Sequence, residues 1–123
     1  MSAREQSQSP QDHLPLSHTV LRVLLVLGDG EMHGYGIMQA LAEKTDGREK
    51  ILPGTLYASI ARMTEDGLLE EVDGAAPEES GGPKRRYYRR TELGTAVARA
   101  ESERLLALVD LARAEKILPE SGR

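Results

Sequence analysis

With 123 residues, 39% of them apolar, the chain has room for one compact domain and an appendage, and leaves no room for two full domains. It contains no cysteine, which excludes disulfides and thiolate metal sites, and its longest apolar run, Val23 to Leu27, falls far short of the ~20 residues of a membrane span. The net charge of −4 speaks against nucleic acid when read as a sum, since a DNA binder must neutralise phosphates, but the basic residues are unevenly spread and their distribution carries more weight. His13, His18 and His33 are scattered, with no spacing that would gather them on a metal. No signal-peptide core is present at the N-terminus, so a cytoplasmic location is expected, without a membrane and without a cofactor.

In chain order, Met1 to Leu14 has too few apolar side chains to offset the entropy of ordering, and reads as a flexible tail. Leu16, Val20, Val23, Leu24 and Leu27 follow at helical spacing, thickened by Leu21, Leu25 and Val26, which predicts a largely buried first helix ended by Gly28-Asp29-Gly30. The segment from Met32 to Lys44 repeats the period through Ile37, Ala40 and Leu41 and predicts a second helix. Gly34 and Gly36 in its first turn lower helix propensity by roughly 1 kcal/mol each, so the backbone there is expected to pack closely against a neighbour. His33 lacks any nucleophile or acid at a fixed spacing and reads as a capping or packing residue. Tyr35 is open to either core packing or a phosphate contact.

A third helix is predicted between Ile51 and Gly67. Leu56, Ile60 and Met63 lie on one stripe, and the opposite face carries Thr55, Ser59 and Arg62 beside the small Ala58. Pro53 and Gly54 start it sharply and Gly67 ends it. Such a helix either reads a DNA groove or is an ordinary amphipathic core helix. Leu68 to Val72 and Arg86 to Thr91 read as two strands joined by a tip, Asp73 to Pro83, rich in glycine and proline. Together they form a wing whose returning arm holds five cations, Lys84, Arg85, Arg86, Arg89 and Arg90, and at least one row of that arm is expected to be solvent-facing and basic. A merely solvated charged strand is the bland alternative. Glu92 to Leu118 is a long helix capped by Thr91. From Leu105 onward its apolar residues, among them Leu105, Leu108, Val109 and Leu111, cover more than one domain can bury, so a two-fold dimer is expected.

Four signatures occur in order: His33-Gly34-Tyr35-Gly36-Ile37, Pro53-Gly54-Thr55-Leu56-Tyr57, Asp66-Gly67-Leu68-Leu69, and Gly82 through Gly94, reading Gly-Pro-Lys-Arg-Arg-Tyr-Tyr-Arg-Arg-Thr-Glu-Leu-Gly. Over about Leu16 to Gly94 the chain resembles the PadR-like winged-helix transcriptional regulators, in particular the smaller subfamily with a single short C-terminal helix. The resemblance implies a homodimeric repressor that binds a palindromic double-stranded operator with its third helix and wing, and that a small-molecule effector releases from DNA. In this chain Arg90 stands where the family usually carries an apolar residue, typically leucine. Tryptophan and phenylalanine are absent, so stacking of a flat aromatic drug on tryptophan is not supported and a ligand pocket is expected to be aliphatic.

The fold class is therefore mainly α with a small β-wing: a flexible tail over 1–14, a winged helix-turn-helix domain over 15–91, a dimerisation helix over 92–118 and a tail over 119–123. Base contacts are assigned to Thr55, Ser59 and Arg62, and phosphate contacts to Tyr35, Tyr57, Lys84, Arg85 and Arg86. Tyr57 also suits packing at the corner between helix and wing. The competing reading is a winged-helix protein-interaction module that does not bind DNA. An enzyme finds no set of nucleophile, base and orienting group.

Overall fold

The computed structural model describes residues 9–28, 30–72 and 86–120. A 3-10 turn, Pro10–His13, precedes α1 (His18–Leu27), β1 (Glu31–His33), α2 (Gly34–Lys44), α3 (Pro53–Glu65), β2 (Leu69–Val72), β3 (Tyr87–Arg90) and α4 (Glu92–Ala114). The three strands form one antiparallel sheet in the order β1-β3-β2, with Glu31 opposite Arg89 on one side and Glu70 opposite Arg89 on the other. Among the described residues, no helix is long and apolar enough to cross a membrane.

One core joins these elements. Val23, Leu24, Val26 and Leu27 of α1 pack with Ile37 and Leu41 of α2, with Leu56, Ile60 and Met63 of α3, with Leu68, Leu69 and Tyr88 of the sheet, and with Val97 and Ala98 of α4. Each large apolar side chain so buried contributes about 1.5–3 kcal/mol. The three-residue stripe expected on α3 is buried throughout: Leu56 is 0%, Ile60 2% and Met63 1% exposed.

The helix ends follow local chemistry. Ser17 accepts from the Val20 N–H to cap α1, His33 Nδ1 accepts from the Gly36 N–H to cap α2, and Thr91 Oγ1 accepts from the Gly94 N–H to cap α4. Each satisfies one amide that helix geometry leaves without a partner. At the far end of α3, Gly67 takes φ +82 while Gly67 N–H donates to Thr64 O and Leu68 N–H to Met63 O, the paired bonds of a Schellman stop. Asp46 (φ 55) and Lys116 (φ 65) take the same left-handed place after α2 and α4.

Four expectations change. Met32 and His33 do not begin a helix: Glu31–His33 is a strand, because the edge of β3 offers it a hydrogen-bonded ladder that a two-glycine helix start cannot match. The expected flexible tail holds an ordered turn at Pro10–His13, where Asp12 accepts from the Ser9 N–H at 3.2 Å and Leu14 packs on the core. The last helix stops at Ala114 and not at Leu118, since Lys116 N–H turns back to Arg113 O and Ile117 N–H to Ala112 O. Arg90 faces inward, as described below. The expected wing tip, Asp73 to Pro83, lies outside the described residues.

Candidate nucleic-acid interface

The helix α3 presents two chemically distinct faces. Against its buried stripe stand Thr55 and Arg62, both exposed, and Ser59, half-buried. The spacing of 55, 59 and 62 places three hydrogen-bonding side chains in one line, with Ala58 and Ala61, both exposed, keeping the flanks low. Pro53 occupies the first turn, so the free N–H groups that start the helix meet no side-chain cap from Leu52. A helix start of this kind favours an anion, and a line of donors of moderate length suits base edges.

Two exposed tyrosines lie on α2 and α3. Tyr35 at the start of α2 is 56% exposed and Tyr57 on α3 is 48% exposed. Tyr57 lies over Gly34: a Cβ built at Gly34 would collide with the Tyr57 ring and hydroxyl. That is the close approach expected of the glycine-rich turn, and it gives Tyr57 a packing duty while its other side remains exposed. His33 stacks near Tyr35 at 6.4 Å between ring centroids and meets the edge of Tyr87 at 5.4 Å, which fixes the corner where β1, β3 and α2 converge.

The returning strand is less basic in effect than its sequence. Arg86 is exposed, with Nε 3.9 Å from a Glu71 carboxylate oxygen, and Arg89 Nε donates to Glu70 Oε2 at 2.7 Å. Arg90 donates through Nη1 to the Leu24 carbonyl at 2.7 Å and through Nε to Thr95 Oγ1 at 2.8 Å. Arg86 and Arg89 are exposed, so cations do face solvent, but strand register sets Glu70 and Glu71 of β2 across from Arg89 and Tyr88, and one of the cations, Arg90, turns into the fold. On the buried side of the sheet, burial and then the Glu71 carboxylate push the Tyr88 phenol above its ordinary value, so it stays neutral. Lys84 and Arg85, the other two expected phosphate contacts, lie outside the described residues.

A cleft of about 480 Å³ opens behind this face, between α3 and the segment that runs from the end of the N-terminal turn into α1. Leu16, Val20, Met63 and Leu68 give it an aliphatic wall, and His13, Ser59, Arg62 and Asp66 give it polar groups. Nothing in the sequence periodicity indicated it, because its two sides, around residues 13–20 and 58–68, are far apart in the chain.

The later half of α4 has no core beneath it. Its buried residues are Gly94, Val97, Ala98 and Glu101, and none lies beyond Glu101. Leu106 (56%), Leu108 (51%) and Leu111 (56%) are exposed, whereas Leu105 and Val109 are half-buried.

The profile described as the transcriptional regulator PadR-like family matches residues 23–100. A transcriptional regulator of Mycobacterium tuberculosis is 38% identical over 97 residues, covering 76% of this chain and 78% of that protein. Among solved structures, a transcriptional regulator from Clostridium thermocellum superposes with a TM-score of 0.67 at 23% identity, over 93% of this chain and 96% of that one. Bacillus subtilis PadR in complex with operator DNA superposes with a TM-score of 0.58 at 18% identity, over 74% of this chain and 48% of that one.

Proposed function

The chain belongs to the PadR-like transcriptional regulator family, and on that premise we propose that it is a homodimeric repressor that binds a palindromic operator near its own or a neighbouring gene. The observation that carries this is the division of α3 into a fully buried stripe and an opposite line of Thr55, Ser59 and Arg62, exposed at Thr55 and Arg62 and half-buried at Ser59, with no side-chain cap at the helix start. Thr55, Ser59 and Arg62 read base edges, while Tyr35, Tyr57 and Arg86, with Lys84 and Arg85, hold phosphates. The uncovered later half of α4 supports the dimer, and a two-fold dimer sets two reading helices about one DNA turn (~34 Å) apart. The solved complex of Bacillus subtilis PadR with operator DNA, which shares this fold, supports the same partner.

An aliphatic small molecule in the cleft between α3 and the segment leading into α1 would act as effector. Ser59 and Arg62 line that cleft as well as the reading face, so an occupant and DNA bases draw on the same side chains. Anisotropy titration against the duplex upstream of its own gene tests the repressor. Tight, salt-dependent binding that exceeds binding to a scrambled duplex is expected. Absence of binding at low salt overturns the proposal.

A further inference from the structure

The cations of β3 are the natural source of sequence-independent DNA affinity, yet the sheet surrounds one of them with carboxylates. Glu31 and Glu70 are the cross-strand neighbours of Arg89 on its two sides, so the three side chains share one face as a row of carboxylate, guanidinium and carboxylate. Glu31 and Arg89 are both exposed, so this is the outer face of the sheet. The Arg89 Nε hydrogen bond to Glu70 measures 2.7 Å, with about half of each side chain exposed.

We propose that Glu70 and Glu31 act as built-in phosphate mimics, occupying Arg89 and so suppressing the affinity of the wing for DNA of any sequence. This rests on the DNA-binding reading above. Glu70, with a smaller contribution from Glu31, holds the guanidinium more firmly in its charged, hydrogen-bonded form. A phosphate that approaches Arg89 must displace Glu70 and then sits between two carboxylates, both well inside the ~8–10 Å screening length of physiological salt. The sequence-independent part of binding comes almost wholly from phosphate contacts, so this row lowers it. Base contacts by α3 do not depend on the row. In a cell full of competing DNA, the fraction of protein left free to find its operator rises accordingly.

The test is a double-mutant cycle read by anisotropy on a scrambled duplex and on the upstream duplex, between 50 and 200 mM salt. The variants are Arg89→Ala, the pair Glu31→Gln with Glu70→Gln, and all three together, with Glu103→Gln on α4 as the control for net charge. The carboxamide pair should bind both duplexes several-fold more tightly, with a salt slope steeper by about 0.9 for one phosphate gained. Arg89→Ala alone should change affinity less than twofold, and added to the pair it should abolish the gain. A pair that gains nothing, a gain that survives Arg89→Ala, or an equal gain in Glu103→Gln overturns the inference. Preference for the upstream over the scrambled duplex reports separately on the operator reading. If the wild-type chain binds neither duplex, tight binding by the pair still supports the row, and no binding by the pair sinks both.

Discussion

Arg90 Nη1 reaches the main-chain oxygen of Leu24 at 2.7 Å, across 66 residues of sequence, and its Nε donates to Thr95 Oγ1 at 2.8 Å. A strand residue thereby satisfies a carbonyl in the last turn of α1, one of those that helix geometry leaves without an intrahelical donor, and also grips the first turn of α4. The position that resembles an apolar site in related proteins is here a charged tie between three elements. Arg90→Ala should cost about 1.5–3 kcal/mol, the range for a hydrogen bond from a charged group. Urea unfolding would show it as a lower midpoint at unchanged slope. DNA affinity per folded molecule should not move, because the Arg90 guanidinium bonds inward to Leu24 and Thr95.

Next to it, Gly94 lies so close to the Leu68 carbonyl that an added Cβ would collide with backbone. Thr91 Oγ1 donates to the Gly67 carbonyl at 2.6 Å in the same corner, so the stop of α3 and the start of α4 are locked together. Gly94→Ala should destabilise by roughly 1–3 kcal/mol, as overpacking does. Gly34→Ala should cost less, since it meets the Tyr57 side chain, which can swing away. Thermal melts of the two variants rank them, and an equal or reversed order would contradict the packing described.

These corners also show how far the sequence could be read. The stripe of Leu56, Ile60 and Met63, the glycine stop at Gly67 and the caps at His33 and Thr91 are local: each depends on residues within a turn or two, and each is present. What escaped depends on partners distant in sequence. Glu31–His33 has no strand pattern of its own and exists because β3 pairs with it. The five-cation arm reads as basic until register sets Glu70 against Arg89. The end of α4 at Lys116 carries no glycine, so the left-handed stop left no compositional mark. The family followed from the local features, and the electrostatics of the wing did not.

Glu101 provides a pH dependence. It is 2% exposed and accepts from Arg104 Nε at 2.6 Å, from Arg104 Nη2 at 2.9 Å and from the Leu16 N–H at 3.2 Å. The Arg104 hydrogen bonds, then that of Leu16, hold its carboxyl below the usual glutamate range against the opposing effect of burial. A carboxylate whose folded value is depressed adds stability that is present above the unfolded value near 4.3 and is lost as pH falls through the folded value. Stability of the wild type should therefore drop on acidification below about pH 4.3, and Glu101→Gln should flatten that limb while lowering stability at pH 7. Denaturation midpoints between pH 3 and 7 decide it: identical acid limbs would mean that this carboxylate carries no linkage.

The reading face gives a separable prediction. Arg62 is exposed, so Arg62→Ala should leave the melting curve nearly unchanged. If Arg62 reads a base, the variant loses about 1–3 kcal/mol of operator affinity and relaxes preference at one position. If it holds only a phosphate, all sequences weaken alike and the salt slope falls by about one. Competition with a panel of singly substituted operators distinguishes the two, and no loss on any duplex would remove Arg62 from the interface.

The dimer is the remaining requirement of a palindromic site, and its test uses the fact that the later half of α4 supports no core of its own. Leu108 and Leu111 are 51% and 56% exposed in the single chain, so charged replacements there should not disturb the fold of one subunit. In a dimer each would lose about 1.5–3 kcal/mol of burial and place a carboxylate in an apolar contact. Leu108→Glu with Leu111→Glu should therefore sediment as a folded monomer with an unchanged circular dichroism spectrum, whereas the wild type should sediment as a dimer. Operator affinity should fall toward that of one half-site, because two reading helices are no longer held one DNA turn apart. A double variant that remains dimeric would place the contact elsewhere, and α1 offers an exposed apolar side chain, Leu25, at 51%.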